Sequence, residues 1–528
     1  MRAISRIMRK KAKVRYSSLP LQPRIVEREV SGGRNVPLAG GGRRGDLRTL
    51  GRVAIILLVL AGGAATVEKS GGDTPEVLVL SGGTLIDGTG AAPVKDALVV
   101  IRGERIEAVG PRVQVNVPEK ARRIDVTGKW IIPGLIDAHV HFFQSGGMYT
   151  RPDVIDLRVQ RSYQQEMSWI KQRLPYTFNR YLCSGITSVV DVGGPMWNFR
   201  VRETANGTAE APRVAVAGPL ISTIDREQLK SGDDRAIIRV DNPEQARALV
   251  ERELQKKPDL VKIWYIRRPD QKLEDTYPIV QATMDEAHKH GTRVAVHATE
   301  LKTAKAAVSL GADVLVHSVM DVLVDDEFVK MVKDRGVIYT TTLVVFEGYS
   351  KVLTGEPRVT DIDRACGDPE VIATWDDLKR VPEDRKVWEE FRGTPGFKQG
   401  LAKETVEKHM QIMKANLKRM QDAGSIVAAG TDAGNIGTLH GPDMHREFEL
   451  MSEAGLTPMQ ILVDATQNAA KVYSPKPDIG AVQPGKYADL VVLSADPLAD
   501  IRNVRKIDNV IKGGRIYPQS DLRVKSAP

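Results

Sequence analysis

Eight short apolar runs rich in β-branched residues recur along the middle of the chain, over 131–138, 187–191, 213–217, 260–264, 293–298, 314–318, 337–343 and 425–430. Stretches with a helical period separate them. Runs that are apolar throughout suit strands buried on both faces, and strands alternating with helices make parallel βα units. Eight such units predict an α/β chain folded as a (β/α)8 TIM barrel with insertions. A doubly wound open sheet is the alternative, and its Gly-rich dinucleotide fingerprint is missing.

The two ends of the chain read differently. Residues 77–126 contain four or five short strands with turn signals and no helical period, and a similar pattern returns at 488–493 and 504–517. One small β-sandwich domain built from 75–130 and 478–520 accounts for both, and it flanks a barrel over 131–477. Within the barrel, 345–400 is long for a loop, charged, and carries Trp375, Trp388, Phe391 and Phe397. Following the seventh strand, it is placed to stand over the active face as a lid, and an inert surface insertion is the competing reading.

The net charge of +9 would suggest nucleic acid or an acidic membrane if it were spread along the chain. It is not: residues 1–52 hold 14 Lys/Arg against 3 Asp/Glu, which leaves the remainder at −2. No nucleic-acid partner is expected. Residues 1–52 lack apolar periodicity and read as a basic, disordered extension. The apolar 53–67 segment follows Arg48 and Arg52 and ends in small residues, as a signal peptide does, with an uncleaved membrane anchor as the alternative. Export to the periplasm or medium is therefore expected, with membrane contact through this segment alone. Cys183 and Cys366 suggest neither a disulfide framework nor a thiolate metal cluster.

Polar residues of metal-binding type close five of the eight runs. His139 and His141 follow the first, Lys262 sits in the fourth, His297 in the fifth, His317 in the sixth, and Asp432 just after the eighth. Strand parity separates Lys262 from Val261 and Ile263, groups His297 with Ala295, and sets His317 opposite Val314 and Val316. With the valines and isoleucines assigned to the helix side, the polar residues point into the barrel at its C-terminal mouth. Because a barrel closes, Asp432 on strand eight should approach His139 and His141 on strand one. Lys262 is the least expected of the six, since lysine is almost never buried unpaired. His288, His290 and His440 read as solvated helix or loop residues. His445 follows Asp432 on the active face, and Tyr265 follows Trp264 in the loop after strand four, so both are candidates to touch substrate.

The stretches PGLIDAHVH (133–141), DLVKIW, VAVHA, DVLVHS, GTDAG, GLTP (455–458), ATQNAA (465–470) and IGAVQPGKYADLVVL (479–493) resemble the amidohydrolase superfamily, in its imidazolonepropionase-like and prolidase-like branch. The resemblance runs from about residue 77 to 517. It implies a binuclear site in which His139, His141 and Asp432 hold one divalent ion and His297 and His317 the other. Lys262, carboxylated to a carbamate, would bridge the two. Zinc suits such oxygen and nitrogen donors, with manganese and iron as alternatives. A metal-bridging hydroxide would attack a carbonyl, and Asp432 would be both ligand and catalytic proton carrier. Mononuclear deaminases of the superfamily lack the bridging lysine, so the resemblance implies hydrolysis of C–N bonds in a dipeptide or an N-acyl amino acid. Lactone or ester hydrolysis is the alternative within the enzyme class, and a non-catalytic binding scaffold the alternative outside it. The expected partner is a small molecule or short peptide, and homo-oligomerisation stays open.

Overall fold

The computed structural model describes residues 77–232, 234–266, 271–380 and 403–524. The basic extension, the 53–67 segment and the 381–402 part of the long insertion, with Trp388, Phe391 and Phe397, lie outside the described residues. No helix among the described residues is long and apolar enough to cross a membrane.

The chain forms a (β/α)8 barrel with an additional β domain. Leu135–Val140, Ile186–Asp191 and Arg213–Val216 form one parallel ladder, and Leu260–Trp264, Arg293–His297, Val314–Val316, Ile338–Thr340 and Val427–Ala428 form another. Two seams join them. The third strand breaks at Gly218 and Pro219, and its continuation Leu220–Ser222 pairs with Leu260–Trp264. At the other seam the Ala138 amide donates to Ala429 O at 3.0 Å and the Asp432 amide to His139 O at 2.7 Å. Strand one therefore lies beside strand eight, as closure requires.

The first apolar run is two strands, not one. Trp130–Pro133 pairs antiparallel with Leu490–Leu493 in the β domain, and Leu135–Val140 enters the barrel. Gly134 is the crossing point, where a Cβ would sit 2.1 Å from Thr187 Oγ1. The β domain itself is one continuous eight-stranded sheet that draws strands from both chain ends. Its alternation assigns two jobs: Ile131, Leu490, Val492 and Ile511 share a cluster with Leu80, Val99 and Ile101, whereas Ile132, Val491 and Val510 pack into the barrel core.

The inward and outward faces of the barrel differ from the parity assignment at one strand. Val314 and Val316 belong to the inner cluster with Ile136, Leu260, Ala295 and Ala428, and Leu315 faces the helices. His317 therefore leaves the strand on the outer parity, and a left-handed backbone (φ +75°) turns it back toward the mouth.

The described part of the long insertion is helical, over Leu343–Leu353, Asp361–Cys366, Pro369–Thr374 and Trp375–Arg380. Val352, Leu353, Val371, Trp375 and Leu378 pack with Met148, Val154 and Leu157 from the loop after strand one, and the Trp375 indole donates to Gly146 O at 2.9 Å. Cys183 and Cys366 are disulfide-bonded, with Cα atoms 5.5 Å apart. The bond ties the end of helix Tyr163–Cys183 to the insertion across 183 residues of sequence. Two cysteines suggest no disulfide framework in the sequence, and they form this single bond because pairing over such a span is set by the tertiary fold and leaves no spacing to recognise.

Candidate active site

Six side chains meet at the C-terminal mouth of the barrel. His139 Nε2 lies 3.4 Å from His141 Nε2, and Asp432 Oδ1 lies 3.3 Å from both. The His317 ring is 4.7 Å from that of His139 and 4.5 Å from that of His297. His139, His317 and Asp432 offer ligand atoms all within 4.8 Å of one another. Asp432, like His317, reaches this position through a left-handed backbone (φ +58°). The Asn435 side-chain amide donates to Asp432 O at 3.0 Å and braces that turn.

Nitrogens and oxygens this close need something between them. Among the described residues, Asp432 Oδ1, Lys262 Nζ and His139 Nδ1 are buried without a hydrogen-bond partner, and leaving such groups unpaired is costly. Burial moves each group toward its neutral form. It lowers His139, His297 and His317 well below the usual imidazole range, with the Lys262 charge adding to the effect, and brings His141 to about 3. It lifts the Asp432 carboxyl, while His141 and Lys262 pull the other way. It brings the Lys262 ammonium down to about 7.

The near-equilateral triangle of His139 Nε2, His141 Nε2 and Asp432 Oδ1 has corners about 1.9 Å from its centre, close to Zn–N and Zn–O bond lengths. The residues fit a divalent cation. Outer contacts orient the rings: His141 Nδ1 is 2.7 Å from Gly193 O, so that nitrogen carries the proton and Nε2 the lone pair, and His317 Nδ1 is 2.7 Å from Thr342 Oγ1.

A cavity of ≈ 330 Å³ opens on this cluster. Its lining includes one apolar cluster of Leu220, Leu229, Ile237, Trp264 and Ile266, and also Val345, Phe346, Leu353 and Met413. Arg151 lines it too. Its guanidinium grips the buried Asp153 with two bonds of 2.7 Å, and Nη1 donates to Asn435 Oδ1 and the Tyr349 hydroxyl at 2.7 and 3.0 Å.

The structure does not bring Tyr265 or His445 to the cavity. The Tyr265 hydroxyl bonds Thr276 Oγ1 at 2.7 Å on the helix side, while its neighbour Trp264 takes the inward position. The strand alternation that places Lys262 inward places Trp264 there as well. His445 is buried in helix Asp443–Glu453 against Phe448, behind the mouth. His440, read as solvated, is buried: it bonds the Tyr181 hydroxyl and Gln144 O and stacks on Phe142. His288 and His290 are solvent-facing and pair with Asp313 and Glu286. Arg151, Asn435, Tyr349 and Thr342 carry no sequence pattern that marks them, since the loops that converge them are far apart in the chain.

Comparisons with known proteins agree with this geometry. Residues 130–517 match the model of the amidohydrolase family. The chain is 38% identical over 74 residues to an adenine deaminase of Rubrobacter xylanophilus and 44% identical over 48 residues to an imidazolonepropionase of Pseudomonas syringae. These alignments cover 14% and 9% of the chain and only 12% of either relative. Among solved structures, a prolidase complexed with N-methylphosphonate-L-proline superposes with a TM-score of 0.62 at 25% identity, over 84% of this chain and 99% of that one. A prolidase-like structure from Bifidobacterium longum gives 0.61 at 22% identity, over 84% and 95%. With residues 130–517 matched and the mouth of the barrel built from histidine, lysine and aspartate, this chain belongs to the amidohydrolase family.

Proposed function

We propose that this protein is a metal-dependent hydrolase of C–N bonds in small amides, such as dipeptides or N-acyl amino acids. The observation that carries the proposal is the convergence of His139, His141 and Asp432 to 3.3–3.4 Å around a buried carboxylate oxygen that has no hydrogen-bond partner. His139, His141 and Asp432 would hold one divalent cation and His297 and His317 a second, zinc fitting the donors. Lys262 would lie between them as a carbamate.

The lysine itself supports that last step. An ammonium repels a cation, whereas burial favours the neutral amine of Lys262, the form that adds carbon dioxide. Nζ forms a bond to the carbon, releases a proton to solvent, and becomes an anionic ligand with two oxygens. This removes an unpaired buried amine and supplies negative charge where five ligand side chains otherwise offer only that of Asp432.

Cations bound here would polarise the scissile carbonyl and lower the pKa of water at the site. The protein does the rest. Gly193 O and Thr342 fix the imidazole orientations, and the Asn435 amide and the His139 carbonyl hold the Asp432 turn. Asp432 accepts a proton from the attacking water and delivers it to the leaving nitrogen. The apolar walls keep bulk water from competing.

Metal analysis of the purified protein should find close to two equivalents, and chelation should abolish turnover of an amide panel. Well under one equivalent, with turnover indifferent to chelator, would overturn the proposal. A lactone and ester panel run alongside reads the bond type. Export belongs to the same proposal: a buried disulfide between Cys183 and Cys366 suits an oxidising compartment. N-terminal sequencing of the mature protein tests it, and an intact Met1 would count against cleavage.

A further inference from the structure

We propose that the substrate carries a bulky, uncharged aromatic or branched aliphatic group directly beside its scissile carbonyl, seated against Trp264; this rests on the hydrolase reading above. Trp264 lies two residues beyond Lys262 on the same strand and pairs in register with His297. Its ring centroid is 6.0 Å from that of His297, so the indole stands one ring away from the reacting centre. It is held in place. The Arg226 guanidinium stacks 5.1 Å from its centroid on one side, and its main-chain carbonyl accepts a bond from Ser222 Oγ at 2.9 Å.

Leu229 and Ile237 share an apolar cluster with the indole, and Phe346 and Met413 line the same cavity. Much of the polar lining is engaged with itself, and the Gln144 Oε1 and Ser318 Oγ atoms left without a hydrogen-bond partner among the described residues are uncharged. Arg151 is bound bidentately to Asp153 and bridges Asn435 and Tyr349, the Tyr349 hydroxyl donates to Asn435 Oδ1 at 2.6 Å, and the Asn435 amide donates to Asp432 O. Among the described residues the guanidinium against the indole, that of Arg226, already faces the buried Asp153 carboxylate at 3.8 Å, so a charged substituent against Trp264 would shed its hydration without meeting an unengaged counter-charge. An apolar substituent would gain by leaving water. The disposition therefore selects for shape and apolarity next to the bond that breaks, and against a carboxylate at the same place.

Three p-nitroanilides that share one leaving group separate these cases: acetyl (small), phenylacetyl (bulky, neutral) and succinyl (charged). With the metal-loaded full chain, kcat/KM for the phenylacetyl amide should exceed that for acetyl by about tenfold and that for succinyl by about a hundredfold. A succinyl amide turned over as well as the phenylacetyl one would overturn the inference. Calorimetric binding of the same amides to the Asp432→Asn variant reads the pocket without turnover. The same order of affinities is expected. If the variant binds with that order but the wild-type protein cleaves none of the amides, the hydrolase reading fails while the pocket assignment stands; binding without preference, or none, overturns the assignment. Trp264→Ala should weaken phenylacetyl binding about tenfold, and Ile237→Glu provides a second perturbation of the same wall should the first fail to fold. Unchanged affinity in a folded variant of either kind counts against the inference.

Discussion

Along strand Leu260–Trp264 the inner face carries Leu260 and then Lys262, and along Arg293–His297 it carries Ala295 and then His297. The same strands thus line an apolar floor and a polar mouth one pleat apart. On the floor, Ile136, Val190, Ala215, Val314, Val316 and Ala428 close-pack through apolar side chains alone. At the mouth, Lys262 Nζ and Asp432 Oδ1 are also buried, without a hydrogen-bond partner among the described residues. The floor is stabilised by its own contacts and needs no ligand. The mouth is costly to fold as it stands, and that cost is what the proposed cations would relieve.

The largest test of this contrast is Asp432→Ala, which removes the central group of the mouth. Turnover should fall by at least about 10³-fold if Asp432 has the proposed double role of proton carrier and ligand, while circular dichroism stays native. Next, Cys183→Ser removes a link that lies outside both regions and ties the end of helix Tyr163–Cys183 to the insertion. It should lower stability by about 3 kcal/mol, seen in the denaturation midpoint, with kcat of the folded fraction little changed. A floor substitution, Val316→Ala, should cost about 2 kcal/mol in the same measurement without altering metal content. If it altered metal content instead, the floor and the mouth would not be separable.

A separate effect, spread over several pH units, is on pH dependence of the metal-free protein. Burial holds His141 at about 3 in the folded chain, below its unfolded value near 6.5. The unfolded chain therefore binds the extra proton first. Stability is fully present above about pH 6.5 and declines by about 1.4 kcal/mol per pH unit for this group as pH falls toward 3. His141→Asn in the metal-free protein should flatten the melting temperature over that window, and an unaltered profile would mean that the ring is hydrated and titrates normally.

Strand alternation makes much of the site legible along the chain. Lys262 and His297 fall on the inner face by parity alone, and barrel closure brings Asp432 to His139. The same alternation, carried two residues further, points to Trp264 and not Tyr265. Parity fails where the chain leaves regular strand geometry. His317 is outward by parity, since Val314 and Val316 face the interior, and only a backbone with φ +75° returns it. Helical residues are less legible: His445 has the right position in sequence but lies on a face of its helix packed against Phe448. Arg151, Asn435 and Tyr349 come from three separate segments, and their hydrogen bonds exist only once those segments dock.

Local chemistry determined the barrel strands, the domain drawn from both chain ends and the identity of the six mouth residues, because period and residue type are written along the chain. Tertiary packing decided the rest. It split the first run at Gly134, turned His317 and Asp432 inward, joined Cys183 to Cys366, and set an indole beside His297. Each of these depends on contacts between segments distant in sequence, and no local propensity encodes such contacts.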